Sequence, residues 1–168
     1  HAAKGALPFD GYVDALVRDL EQDLPLVWGR TVHSVFFGGG TPSLFPPEAI
    51  DRILQAASAR LRFAPDAEIT LEANPGTAEH GRFDGYRAAG VNRVSFGIQS
   101  FDDGCLQRLG RIHDSAEAEA AVKLAQDAGL DNLNLDLMYA LPGQDLAMAE
   151  RDLERAFALQ PAHISHYQ

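Results

Sequence analysis

The chain has 168 residues, 46% hydrophobic and 23% charged, the composition of one globular domain with a real core, which excludes a disordered chain. Acidic residues outnumber basic ones 24 to 14, and the net charge of −10 argues against nucleic acid, DNA included, and against an anionic membrane surface as partner. A single cysteine, Cys105, excludes an internal disulfide framework and any multi-cysteine metal site built from these residues. The opening HAAKGALPFD carries neither a signal pattern nor the ~20-residue apolar run of a membrane span. With a start at His1 and an end in the strand-like HISHYQ, residues 1–168 are expected to be one incomplete domain of a longer, cytoplasmic protein.

From Phe9, the apolar residues Tyr12, Val13, Leu16, Val17 and Leu20 recur at steps of three and four, predicting an amphipathic helix that ends before Pro25. Val35, Phe36 and Phe37 predict a short buried strand stopped by three glycines. Pro46 and Pro47 open a helix with Ile50, Ile53, Leu54, Ala57 and Leu61 on one face, and Glu68 to Asn74 reads as a period-two strand. A helix over Phe83 to Ala89 ends at Gly90, and the strand Val94 to Gln99 follows. Ser115 is the expected N-cap of a helix burying Ala118, Ala121, Val122 and Ala125 and terminated by Gly129. The strand Asn132 to Tyr139, a Pro142-Gly143 turn, a helix over Leu146 to Leu159 and a last strand from His163 complete the chain.

Single helices between successive strands predict βαβ units, and so an α/β fold with a parallel sheet and right-handed crossovers. An open doubly wound sheet and a full or partial (β/α) barrel both satisfy that order. Side chains alternate across a strand, which sets Ile69 and Leu71 against Thr70, Glu72 and Asn74. It likewise sets Val94, Phe96 and Ile98 against Ser95, Gly97 and Gln99, and Leu133, Leu135 and Leu137 against Asn134, Asp136 and Met138. A doubly wound sheet, covered on both faces, reads as near-continuous apolar runs instead. A face carrying Glu72, Gln99, Asn134 and Asp136 suggests an open barrel whose interior holds a polar ligand, since unpaired buried carboxylates are costly. The alternative is a sheet with one face in water.

Gly38-Gly39-Gly40-Thr41-Pro42-Ser43 follows a strand directly, where glycines let backbone groups approach a ligand. No Lys follows the glycines, so this is not a phosphate loop; alone, it reads equally as a strand-to-helix turn. Taken in order, GGGTPS, LEANPGT, NRVSFGIQSF, LGRIHD and NLDLMYALPGQ resemble the radical S-adenosylmethionine (radical SAM) core of the oxygen-independent coproporphyrinogen III oxidase family. Within that family they look most like the heme-chaperone branch, and the resemblance runs from about Phe9 to Gln168.

The resemblance implies a partial (β/α) TIM-like barrel without its first strand. Its implied cofactors are S-adenosyl-L-methionine, a [4Fe–4S] cluster and heme. Gly39, Gly40 and Thr41 match the segment binding the methionine moiety of S-adenosylmethionine, and Glu72 matches a carboxylate that binds the same cofactor. Gln99, Arg111 and Asp136 match positions that contact a second cofactor molecule in the oxidase; for Arg111 the alternative is a solvated surface cation. No catalytic residue is assigned. The family's cluster needs three cysteines in a C-x3-C-x2-C loop, whereas Cys105 lies elsewhere and reads as a packing residue. The loop is therefore expected ahead of His1, and these residues alone are expected to perform no radical chemistry. His163 and His166 sit at odd spacing on opposite faces of the last strand; they and His113 read as hydrogen-bonded structural histidines, with axial heme ligation as the alternative. The family's YGLPGQ has Ala140 in place of its first glycine, a mild change. The function implied is that of a heme chaperone, binding heme and passing it to an acceptor protein. The alternative is an oxidase that decarboxylates porphyrinogen propionates to vinyl groups.

Overall fold

The computed structural model describes residues 8–76 and 82–168. Thr77, the last residue of LEANPGT, lies outside the described residues, as does the start of the chain through Leu7. Helix α1 (Phe9–Val27) leads into β1 (Thr31–Phe37), a 3-10 turn (Pro42–Leu44), α2 (Pro47–Ser58) and β2 (Arg62–Ala73). Then come α3 (Phe83–Ala89), β3 (Arg93–Gln99), α4 (Asp103–Arg108), α5 (Ser115–Asp127), β4 (Leu133–Met138), α6 (Leu146–Ala158) and β5 (His163–Tyr167).

All five strands are parallel, and their spatial order β1-β2-β3-β4-β5 is their order in the chain. That order decides between the two architectures the sequence permits. Right-handed crossovers that always step the same way put every helix on one face, whereas a doubly wound sheet reverses direction and covers both. The result is a partial (β/α) barrel with helices outside and a lumen inside. Leu71, Val94, Phe96, Ile98, Leu133, Leu135 and Leu137 all point toward the helices and are 0% exposed. Behind them, the Phe83 ring meets Phe96 edge-on at 5.7 Å between centroids, and Tyr86 seals the layer.

Several boundaries differ from the sequence reading. Helix α1 runs through Pro25 to Val27. A proline this close to the C-terminus forfeits one backbone bond and leaves the rest of the helix unharmed. The cap of α5 is Asp114 and not Ser115: its carboxylate accepts from the Glu117 N–H at 2.8 Å while Glu117 answers the Asp114 N–H, a full capping box. Helix α2 stops at Ser58, leaving Leu61 beyond it, and β2 begins at Arg62 rather than Glu68. The first half of β2 pairs irregularly with β1, with a register shift between Val32 and Ser34. Two helices, α4 and α5, connect β3 to β4 where one was expected. Among the described residues no helix is long and apolar enough to cross a membrane.

Candidate cofactor-binding site

The strands end together, and their register carries the polar residues across the lumen in rows. Glu72 lies beside Ser95, Ser95 beside Asn134, and Asn134 beside His163. Asn134, 2% exposed, uses its full hydrogen-bonding capacity. Its Nδ2 donates to Ser95 Oγ and to Asp136 Oδ1, both at 2.8 Å, and its Oδ1 accepts from Ser165 Oγ at 3.0 Å and from His163 Nδ1 at 2.6 Å. Ser95 Oγ donates in turn to Asp136 Oδ2 at 3.1 Å. The Asp136 carboxylate is thus held by two neutral donors, with no cation paired to it among the described residues.

At the end of β1, Gly39 and Gly40 take left-handed φ angles of 81° and 64°, which glycine adopts without strain. A Cβ at either would meet nothing within 4 Å, so these glycines serve the turn and not packing. The Gly39 N–H donates to Glu72 Oε2 at 3.0 Å, tying the loop to β2. Thr41 starts the 3-10 turn, its carbonyl accepting from the Leu44 N–H at 3.1 Å.

Between these elements lies a cleft of about 270 Å³ lined by Gly40, Glu72, Gln99, Arg111 and Asp136 together. Five of the seven residues singled out in the sequence therefore meet in one place. Arg111 comes from the α4–α5 connection and reaches this cleft half-buried. Gly39 meets the cleft through its bond to Glu72, and Thr41 does not line it. Sequence reasoning missed Tyr167, which also lines the cleft and donates through its hydroxyl to Gln99 Oε1 at 2.9 Å. Alternation carried from His163 and Ser165 along β5 would have found it. Gly97 forms part of the floor: a Cβ there would come within 3.2 Å of Gln99 Nε2 and 3.4 Å of both Arg111 Nη2 and Asn74 Oδ1.

The donor set suits S-adenosylmethionine, a zwitterion with an ammonium, a carboxylate and a ribose diol. Glu72 and Asp136 can accept from ammonium or ribose hydroxyls, Arg111 can grip a carboxylate, and the bare Gly97 floor leaves room for the ligand. The donor set does not suit an iron–sulfur cluster. Cys105 is 0% exposed on α4, burial pushes its thiol pKa up against the lowering effect of the Arg108 guanidinium, and no group of three metal-binding side chains gathers among the described residues. Of the histidines, His113 bonds through Nε2 to the Ile98 carbonyl at 3.2 Å, His163 bonds to Asn134, and His166 packs edge-on against Tyr139 with centroids 4.9 Å apart. His163 and His166 occupy opposite faces of β5 as their spacing requires.

Residues 10–156 match the family model of the radical SAM superfamily, and the chain belongs to that superfamily. Over 168 residues it is 52% identical to the heme chaperone HemW of Escherichia coli K12, a match spanning all of this chain and 44% of that protein. It is 41% identical over 153 residues to the mitochondrial radical S-adenosyl methionine domain-containing protein 1 of Bos taurus, covering 91% of this chain and 35% of that one. The structure of the coproporphyrinogen III oxidase HemN from E. coli, described as a radical SAM enzyme, superposes with a TM-score of 0.86 at 32% identity, over 98% of this chain and 38% of that one. The chain thus spans less than half the length of each of these relatives.

Proposed function

We propose that the chain is the cofactor-binding core of a heme-chaperone-like radical SAM protein, one that binds S-adenosylmethionine and heme and passes the heme to an acceptor protein. The observation that carries the cofactor reading is the meeting of Gly40, Glu72, Gln99, Arg111 and Asp136 in one cleft at the strand ends. S-adenosylmethionine, when bound, supplies an electrophilic sulfonium joined to an adenosyl group. Glu72, braced by the Gly39 N–H, accepts from an ammonium or the ribose hydroxyls. Asp136, aimed by Ser95 and Asn134, is a second acceptor on the opposite wall, and Arg111 supplies the positive charge that a carboxylate needs. With Cys105 the single cysteine of the sequence and no group of three metal-binding side chains among the described residues, nothing here supplies the thiolates of a [4Fe–4S] cluster.

Heme handling rests on similarity to HemW, at 52% identity. The experiment measures S-adenosylmethionine binding to the intact protein by calorimetry, with Glu72→Gln expected to weaken it about tenfold through loss of a charge-assisted hydrogen bond. An unchanged dissociation constant would remove Glu72 from the site. The likeness to HemN supports a second reading, an oxidase of coproporphyrinogen III. Stable heme binding with transfer to an acceptor, and no anaerobic turnover of coproporphyrinogen III with a reductant, selects the chaperone; turnover selects the oxidase.

A further inference from the structure

Gln99 departs from every neighbouring strand residue. It is 5% exposed, its φ is +72°, and the β3–β4 register slips between Phe96 and Gln99. A non-glycine residue in the left-handed region persists only when its surroundings hold it there. The side chain is aimed: Tyr167 donates to Oε1, leaving Nε2 against Gly97 in the cleft with no acceptor among the described residues. A buried, unpartnered donor facing a cavity is a group waiting for a ligand acceptor.

What holds the backbone comes from residues with no place in the cleft. Before Gln99, the Ile98 carbonyl accepts from buried His113. After it stands Asp152 on α6, a carboxylate only 3% exposed that accepts from three donors. These are Ser100 Oγ at 2.8 Å, the Phe101 N–H at 2.7 Å and Gln144 Nε2 at 3.1 Å. One turn further along α6, Arg155 donates to the Phe101 carbonyl at 2.6 Å and stacks over the Phe101 ring, so both polar groups of that residue's backbone are clamped by one helix. A charge this deeply buried is stable only because all three bonds are made, and making them fixes the chain directly after Gln99.

We infer that Asp152, with His113, is a positioning residue that imposes the left-handed backbone of Gln99 and so aims its amide at the ligand in the cleft. The ligand part of this inference rests on the S-adenosylmethionine reading above. Asp152→Asn keeps the shape but turns one of its two acceptor oxygens into a donor, which the three converging donors cannot satisfy.

The test uses the intact protein, with S-adenosylmethionine affinity read by calorimetry and the Gln99 backbone read from crystal structures of the variants. D152N is expected to weaken binding about tenfold, the scale for losing one buried hydrogen-bond partner. In the Gln99→Ala background it is expected to add less than about twofold, because Asp152 acts through Gln99. The Gln99 φ is expected to become negative in D152N. If Gln99→Ala weakens binding, then an unchanged affinity in D152N, or a loss that multiplies in the double variant, overturns the inference and leaves Asp152 a purely structural residue. Unchanged affinity in both Gln99→Ala and Glu72→Gln is instead the failure of the S-adenosylmethionine reading. The backbone decides the positioning role in that case: a relaxed φ in D152N supports it, and a retained left-handed φ overturns it. Should D152N not fold, Ser100→Ala removes one donor and leaves the carboxylate in place. A loss of about threefold with a relaxed φ supports the inference, and no change in either overturns it.

Discussion

The two faces of the sheet are made from alternate residues of the same strands, yet they are stabilised in opposite ways. On the helix side, Phe96, Leu135 and their neighbours are 0% exposed and owe their place to apolar area removed from water and close packing. One residue away on the lumen side, Ser95, Asn134 and Asp136 are fixed by directional hydrogen bonds. The helix side can hold the fold with no polar partner, while the lumen side sets its carboxylates at the cleft where the proposed ligand would sit. If that proposal holds, stability and binding belong to different faces of one strand, and substitutions can be assigned to one or the other.

The largest effect expected from that division belongs to Phe96→Ala, which removes a fully buried ring from its contact with Phe83. It should cost about 3–5 kcal/mol of unfolding free energy in denaturant titration. The fraction that stays folded should bind S-adenosylmethionine with unchanged affinity, because no part of Phe96 lines the cleft. A large loss of affinity in that folded fraction would mean that the two faces are not separable. Glu72→Gln is the mirror experiment, with affinity weakened and the unfolding midpoint nearly unmoved.

A smaller effect concerns Cys105, which belongs to the packed side although it lies in the connection that delivers Arg111. Burial raises its thiol pKa and closes off access, so iodoacetamide should modify it only as the protein unfolds. Modification of the native protein at the rate of a free thiol would place α4 on the mobile, ligand-facing side of the division instead. Helix α4 is also where the chain was least legible: six residues with an internal glycine, Gly104, give no periodicity to read, so two helices passed for one.

The same contrast explains what else the sequence revealed. Alternation exposed Glu72, Gln99 and Asp136 because each lies on a strand whose other face is unbroken apolar. It also pointed to the barrel, which strand order then established. Asp152 was invisible by the same logic. Within RDLER it reads as one more charge on a solvated helix face, and its partners, Ser100 and Phe101, lie more than fifty residues earlier in the chain. A buried carboxylate announces itself only when the donors that converge on it can be seen, and that convergence is tertiary. The Asp114 cap was missed for a simpler reason: Ser115, equally capable, stands next to it, and only backbone geometry chooses between them.

His113 gives the smallest effect and tests the boundary between the two faces most finely. It is 4% exposed, and burial pushes its pKa below the usual imidazole value, opposed in part by the hydrogen bond to the Ile98 carbonyl. Arg111 lowers it further, while Glu117 and Asp114 act the other way. The folded protein therefore holds this ring neutral where the unfolded chain, titrating near pH ~6.5, already binds a proton. Its contribution to stability is complete above that unfolded value and is lost as the pH falls toward the depressed folded one. His113→Gln can keep a donor on the Ile98 carbonyl but cannot take up a proton. The unfolding midpoint of the wild type should accordingly fall more steeply than that of His113→Gln as the pH is lowered from about 7 through the imidazole range. Parallel midpoints across that range would mean that His113 opens to water with its proton. The Ile98 carbonyl would then lack the buried brace that joins the packed face to the Gln99 turn.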